Sequence, residues 1–221
     1  MVVMTSTVDG RRERGDRTRR HAARTAARLA TVQGLDSITL GALAEATGAS
    51  KSGLLTVFGN REEILVAAVA EARTLYVEHV IAPAWTEPSG TPRLRALLDH
   101  WVGYLRDEVF PGGCFVATTS AEFGHREGRV ADAVRELKRE WIGVLERELS
   151  VAGVPDPAEA AFRIDAYLVA ANTRRELFGD DAALDTGRRL ALAVLPPVLS
   201  PVVPPAVPAG VAEAGEAPAE P

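Results

Sequence analysis

The sequence predicts an all-α protein of about nine helices, a small three-helix head followed by a larger bundle. Three observations carry that reading. No β-branched run alternates at period two for long enough to make a strand, apolar residues recur at i, i+3, i+4 and i+7, and Gly and Pro clusters interrupt the pattern at helix-length intervals. With 47% hydrophobic and 25% charged residues, the composition is that of a globular chain. At 221 residues, roughly 70% of the unfolded surface can be buried.

Composition also excludes several classes. A single cysteine, Cys114, forbids an intramolecular disulfide framework, and no Cys-x-x-Cys spacing offers a thiolate zinc site. No apolar stretch approaches the ~18 residues of a membrane span, and no apolar segment follows the N-terminal arginines as in a signal peptide. The expectation is a soluble, cytoplasmic protein without membrane contact. The net charge of −5 is uneven: residues 1–60 hold nine Lys/Arg against five Asp/Glu, a net of +4, which leaves −9 on the other 161. A basic head on an acidic body points to a polyanionic partner for the head alone.

In chain order, residues 1–16 are polar and aperiodic and read as a disordered basic tail. A first helix runs from Thr18 to Gln33 and ends at Gly34; a second runs from Thr39, its N-cap, to Thr47 before Gly48. Ser50 to Phe58 is a short third helix. Asn60 caps a long fourth helix to about Ile81, with Glu63 placed for a capping box. After a Pro/Gly loop, five more helices fall at about 93–109, 113–124, 128–152, 156–178 and 181–195. Residues 200–221 are rich in Pro, Ala and Glu and read as a second disordered tail.

Residues 39–58 carry the most informative pattern. Leu40, Leu43, Ala44 and Thr47 line one face of the second helix, and Leu54, Val57 and Phe58 line one face of the third. Only Gly48 and Ala49 separate them, and a glycine able to take positive φ lets two helices cross steeply, as in a helix-turn-helix. The third helix then presents Lys51, Ser52, Leu55 and Thr56 outward, N-terminus forward, toward phosphates and groove edges. An αα-hairpin of an ordinary bundle has the same pattern.

Residues 34–65, GLDSITLGALAEATGASKSGLLTVFGNREEIL, resemble the DNA-binding head of the TetR (tetracycline-repressor-like) family of bacterial transcriptional regulators. The matching features are Gly34, Thr39, Gly48-Ala49-Ser50-Lys51, Phe58 and Asn60-Arg61-Glu62. The resemblance implies a helix-turn-helix domain over residues 17–60 and a ligand-binding and dimerisation domain over 61–199. It departs at Leu55, where the family favours tyrosine, at Thr56, where histidine is frequent, and at Gly59, where proline is common. DNA contacts carry over at Thr39, Ser50, Lys51 and Arg61, and more loosely at Ser52 and Thr56. The reading helix lacks Arg, Asn and Gln, so discrimination falls to Lys51, hydroxyls, thymine-methyl packing by Leu55 or Thr56, and DNA shape. Arg17, Arg19 and Arg20 are either phosphate contacts or a solvated arginine face.

In the body, Trp101, Tyr104, Phe115, Phe123, Trp141 and Tyr167 gather most of the aromatic content, with Thr118, Thr119, Glu122 and Arg174 among them. This set is either core packing or the lining of a pocket for a small apolar or amphipathic effector, and the resemblance favours the pocket. The helix from 156 has two apolar lines, Ile164, Leu168 and Ala171 on one and Phe162, Ala166 and Val169 on the other; the last helix offers Leu184, Leu190 and Val194. In the family the last two helices form a dimer, which assigns Ile164, Leu168, Ala171, Leu184, Leu190 and Val194 to the interface. A homodimer would set two reading helices on successive grooves of a palindromic operator.

Two other classes compete. A metal-sensing regulator would use Glu122 and His125, at i, i+3, and a helical adaptor would bind only protein. Catalysis finds no convincing nucleophile and base, since Cys114 with His100 and His125 forms no motif, and nothing in the sequence calls for a cofactor. The expectation is therefore a DNA-binding regulator, a homodimeric repressor released by an effector, and not an enzyme.

Overall fold

The computed structural model describes residues 6–196, with side chains from Gly15 onward. The C-terminal tail expected at 200–221, and residues 1–5, lie outside the described residues. Among those described there are nine helices and no strand. The helix α1, Ser6–Gln33, begins well before Thr18, so the expectation of disorder is corrected from Ser6 on. Arg and Glu are strong helix formers, and their propensity prevails over the lack of an apolar stripe. Its buried alanines, Ala22, Ala23, Ala26, Ala27 and Ala30, present almost no bulk, so α4 lies close against it.

The turn after α1 uses Gly34 at φ 87°; the next helix is capped by Thr39 as the sequence predicts, and the third starts one residue later than expected, with Ser50 as its cap. In α2, Leu40–Thr47, the Thr39 side chain accepts from Ala42 N–H; in α3, Lys51–Phe58, the Ser50 hydroxyl accepts from Gly53 N–H. Between them Gly48 adopts φ 67°, which a residue with a Cβ rarely takes. In α4, Arg61–Tyr76, Asn60 accepts from Glu63 N–H at 2.9 Å. The reciprocal half of the expected capping box is absent, because the Glu63 carboxylate pairs with Arg129 instead.

Beyond Tyr76 the fourth helix continues as a π turn, Val77–Ile81, and one last α turn, Ala82–Ala84. Pro83 supplies no N–H and its ring would meet the His79 carbonyl in a regular helix. The chain widens instead, with Ala82 N–H donating five residues back to the Val77 carbonyl.

Five helices complete the bundle: α5 (Thr91–Arg106), α6 (Phe115–Phe123), α7 (Arg129–Val151), α8 (Pro157–Phe178) and α9 (Ala182–Leu192). The loop before α5 is fixed by the buried Glu148 carboxylate, which accepts from Gly90 N–H at 2.8 Å and the Ser89 hydroxyl at 2.7 Å, and pairs with Arg93 at 3.1 Å. Burial pushes the Glu148 pKa up, but the Gly90, Ser89 and Arg93 donors outweigh it and hold it below the ordinary value.

α8 and α9 approach most closely at Gly187, where a Cβ would stand 2.6 Å from that of Ala171. Burial corrects part of the residue assignment for the dimer interface. Ile164, Leu168 and Ala171 of α8 and Leu184 of α9 are buried inside the single chain, while Leu190 and Val194 are half-buried. The second apolar line of α8 is the outward one: Phe162 is 73% exposed and Leu177 69%, with Ala166, Val169 and Thr173 between them.

Candidate functional site

The head places its two N-caps and the α3 face on one surface. Thr39, Ser50, Lys51, Ser52, Leu55 and Thr56 are all exposed, Leu55 at 40%, while Leu54 and Phe58 on the opposite face of α3 are buried. The small polar groups are pre-arranged: Ser50 Oγ lies 3.2 Å from Ser52 Oγ, and the Thr56 hydroxyl donates to the Ser52 carbonyl at 2.8 Å. The first turn of α3 directs its free N–H groups outward at the positive end of the helix dipole.

The basic residues of the head divide into two groups. Arg17, Arg20 and Lys51 are exposed and have no hydrogen-bond or ion-pair partner among the described residues. Four others are committed to partners within the protein. Arg19 donates to the Val57 carbonyl at 3.0 Å and lies 4.7 Å from the Phe58 ring centroid, closing the C-terminal end of α3. Arg24 pairs with Glu71 at 2.8 Å, and Arg28 donates to the Val109 carbonyl at 2.6 Å. Arg61, a residue assigned to DNA, donates from Nε to the Ile38 carbonyl at 2.7 Å and from its Nη2 to both the carbonyl and carboxylate of Asp36. Its role here is to hold the α1–α2 turn, and it leaves the set of free cations.

That same turn is gripped from the body. Glu122, expected in a ligand pocket, is at the end of α6 and its two carboxylate oxygens accept from the backbone N–H groups of Leu35, at 2.7 Å, and Asp36, at 2.8 Å. Arg126 pairs with the Asp36 carboxylate, and this ion pair, opposed by partial burial and helped by Arg61, holds the Asp36 pKa below the usual carboxylate value. With both its oxygens engaged, Glu122 is not placed beside His125 as a metal ligand. Among the described residues no group of three or more His, Cys, Asp or Glu could hold an ion.

α6 is seated equally firmly at its start. A Cβ on Gly112 would lie 2.1 Å from the Thr31 carbonyl oxygen of α1, and one on Gly113, at φ 79°, would lie 2.5 Å from Asn172 Oδ1. Gly112 N–H donates to the Thr31 hydroxyl, and Cys114 N–H donates to Asn172 Oδ1 at 2.8 Å. Cys114 is buried, and that burial raises its thiol pKa, although amide groups of α6 partly oppose it.

The other expected pocket residues separate. Tyr104, Phe115, Thr119 and Phe123 are buried in the core; the Thr119 hydroxyl donates to the Phe115 carbonyl and that of Thr118 to the Cys114 carbonyl. Tyr167 and Arg174 line a groove between α8 and α9, where Arg174 pairs with Asp180. Trp101 borders an inner void of about 20 Å³. The groove between α8 and α9 is the larger, about 390 Å³, but among these residues Trp141 alone faces a further cleft, about 260 Å³ between the π turn and α7. Tyr76, Val77, Ile81, Val116, Leu137 and Val144 supply its other apolar walls, and Arg73, Glu140 and Arg147 its rim. Sequence reasoning missed this cleft, and Pro83 inside a long helical run was its one signal.

A helix-turn-helix head with an outward polar face, joined to an all-helical body with an apolar cleft, defines a DNA-binding regulator. Residues 23–68 match the family model described as bacterial regulatory proteins, tetR family, and residues 90–191 match that of the tetracyclin repressor-like C-terminal domain. The chain belongs to the TetR family of bacterial transcriptional regulators, which are not enzymes.

Solved structures share the fold. A TetR regulator from Chloroflexus aurantiacus superposes with a TM-score of 0.74 at 21% identity, over 82% of this chain and 95% of that one. A TetR-family regulator from Streptomyces coelicolor gives 0.72 at 19%, over 81% and 94%. AibR, solved in complex with isovaleryl coenzyme A and operator DNA, gives 0.63 at 21%, over 80% and 97%. No curated protein matches the chain. Among the described residues no helix is long and apolar enough to cross a membrane.

Proposed function

We propose that the protein is a homodimeric repressor of a palindromic operator, acting in the bacterial cytoplasm and released by a small apolar or amphipathic effector. The observation that carries this reading is the surface on which Lys51, Ser52, Leu55 and Thr56 stand exposed between two capped helix N-termini. Arg17, Arg20 and Lys51 neutralise phosphates; Thr39 and Ser50 position them; Ser52, Leu55 and Thr56 face the groove. The domain limits are 17–60 for the head and 61–199 for the body, with α1 extending the head toward its N-terminus.

The outward apolar line of α8, Phe162, Ala166, Val169, Thr173 and Leu177, supports the dimer. An exposed stripe of that length on a soluble helix calls for a partner, and a two-fold axis pairs it with itself.

Effector release runs through α6. Val116 at its start lines the cleft and Glu122 at its end holds the α1–α2 turn, about 9 Å away along one short helix. A ligand that prefers a displaced α6 loosens the grip on Leu35 and Asp36 and shifts the reading helices, with a coupling of ~1–3 kcal/mol. AibR, a relative in fold solved with both an acyl-coenzyme A and operator DNA, is an analogy for one chain carrying both sites.

Selection of bound duplexes from random DNA tests the central claim. Recovered sites with two inverted half-sites about one helical turn apart, bound less tightly as salt rises, are expected. Binding only to single half-sites, or retention that ignores salt, would overturn the reading.

A further inference from the structure

We propose that the cleft between the π turn and α7 binds a small apolar monoanion whose charge is held by Arg147; this rests on the effector reading and adds the ligand's chemistry. Two ion pairs set α4 beside α7 in the same direction, Glu63 with Arg129 and, ten residues on, Arg73 with Glu140 at 2.6 Å. Past the second pair the π turn widens α4, and the cleft opens there.

Its walls are mainly apolar, with Tyr76 and Trp141 meeting edge-to-face at 5.5 Å. At the rim, Arg73 and Glu140 cancel one another, whereas Arg147 has no hydrogen-bond or ion-pair partner among the described residues. The rim therefore carries one unmatched positive charge, in a body whose residues 61–199 sum to −6. A cation finds no free carboxylate in that rim. A carboxylate finds a guanidinium, whose fork can donate two charge-assisted hydrogen bonds while the rest of the ligand leaves water.

Size limits the ligand further. The volume of about 260 Å³ is at the small end for ligand pockets, and Arg147 lies about 10 Å along α7 from Glu140. That accommodates a phenylalkanoate or a medium-chain acyl carboxylate. These two sources share the same chemistry.

The test is titration calorimetry of the full chain with 4-phenylbutyrate, octanoate and the neutral 4-phenylbutyramide. At least one acid is expected to bind saturably and about tenfold tighter than the amide; a phenylbutyrate preference assigns an aryl ligand, an octanoate preference an acyl one. Arg147→Ala should weaken the acids about tenfold, leave the amide unchanged and keep the melting temperature, while Arg147→Lys retains most affinity. Equal binding of acid and amide, undiminished acid binding by Arg147→Ala, or no saturable binding by either acid would overturn the proposal. DNA affinity is read separately. An acid held by Arg147 that leaves DNA affinity unchanged sinks the effector reading alone; an acid that releases DNA equally from Arg147→Ala sinks the ligand class alone.

Discussion

Glu122 and Leu35, 87 residues apart, are joined at 2.7 Å by a carboxylate that also takes the next backbone amide, Asp36, at 2.8 Å. The bond spans the boundary between reading head and body. It fixes the turn whose geometry sets the direction of α2 and α3, and Gly34 beside it, at φ 87°, would bring a Cβ into tight contact with Glu122 Oε1 at 3.3 Å.

Glu122→Ala should therefore lower stability by about 1–3 kcal/mol, because the part-buried Leu35 amide and the exposed Asp36 amide lose a charged acceptor. It should also uncouple ligand from DNA: effector bound in the cleft would no longer change operator affinity as in the wild type. Glu122→Gln keeps one acceptor oxygen and should fall between. Thermal melts and operator titrations with and without effector read both effects, and a Glu122→Ala protein with wild-type coupling would contradict the route through α6.

Lys51 and Phe58 share one short helix and have opposite roles. Lys51→Ala should leave the melting temperature unchanged, weaken operator binding and reduce the salt slope by about one unit. Phe58→Ala removes a buried ring packed beneath Arg19 and should cost about 3–5 kcal/mol. Equal loss of stability in the two would mean that the faces of α3 are wrongly assigned. The same logic applies to Arg61→Ala, which should destabilise the α1–α2 turn rather than act through phosphate contact.

The helices were legible because local chemistry fixes their ends: Thr39, Ser50, Asn60 and Asp156 accept the amide hydrogen bonds that capping requires. The start of α1 was not legible, since propensity without an apolar stripe looks the same in a helix and a tail. The cleft was hidden for a different reason. Trp141 facing it and Phe115 in the core are equally apolar, and a π turn forced near Pro83, not residue type, decides which wall stands open. Likewise α8 has two apolar lines, and only the close approach at Gly187 determines that Ile164 faces inward and Phe162 outward.

That distinction is testable. Phe162→Glu with Leu177→Glu places charge on an exposed face and should yield folded monomers with little DNA affinity, by sedimentation and operator titration. Gly187→Ala instead puts a methyl group where Ala171 and the Tyr167 carbonyl already stand, and should lower stability by about 1–3 kcal/mol. A doubly substituted chain that still sediments as a dimer would remove α8 from the interface.

Acid should act at three carboxylates, Asp36, Glu63 and Glu148. All have folded pKa values below their ordinary ones, Asp36 through Arg126 against partial burial, Glu63 through Arg129, and Glu148 through Gly90, Ser89 and Arg93 despite its burial. A depressed folded pKa means the unfolded chain takes up protons first as pH falls, so the stabilisation is whole above the unfolded values, about 4, and is lost below them. Stability should thus be flat in this respect near neutrality and decline steeply through and below pH 4. Glu148→Gln cannot titrate, so it should be less stable than wild type at pH 7 and show a shallower decline on acidification. Glu148→Ala, which leaves Arg93 and the buried Gly90 amide without their acceptor, should cost about 3 kcal/mol at pH 7. Denaturant titrations at pH 7, 5 and 3.5 measure both slopes, and parallel curves for wild type and Glu148→Gln would show that the carboxylate holding the α5 loop carries no proton-linked stability.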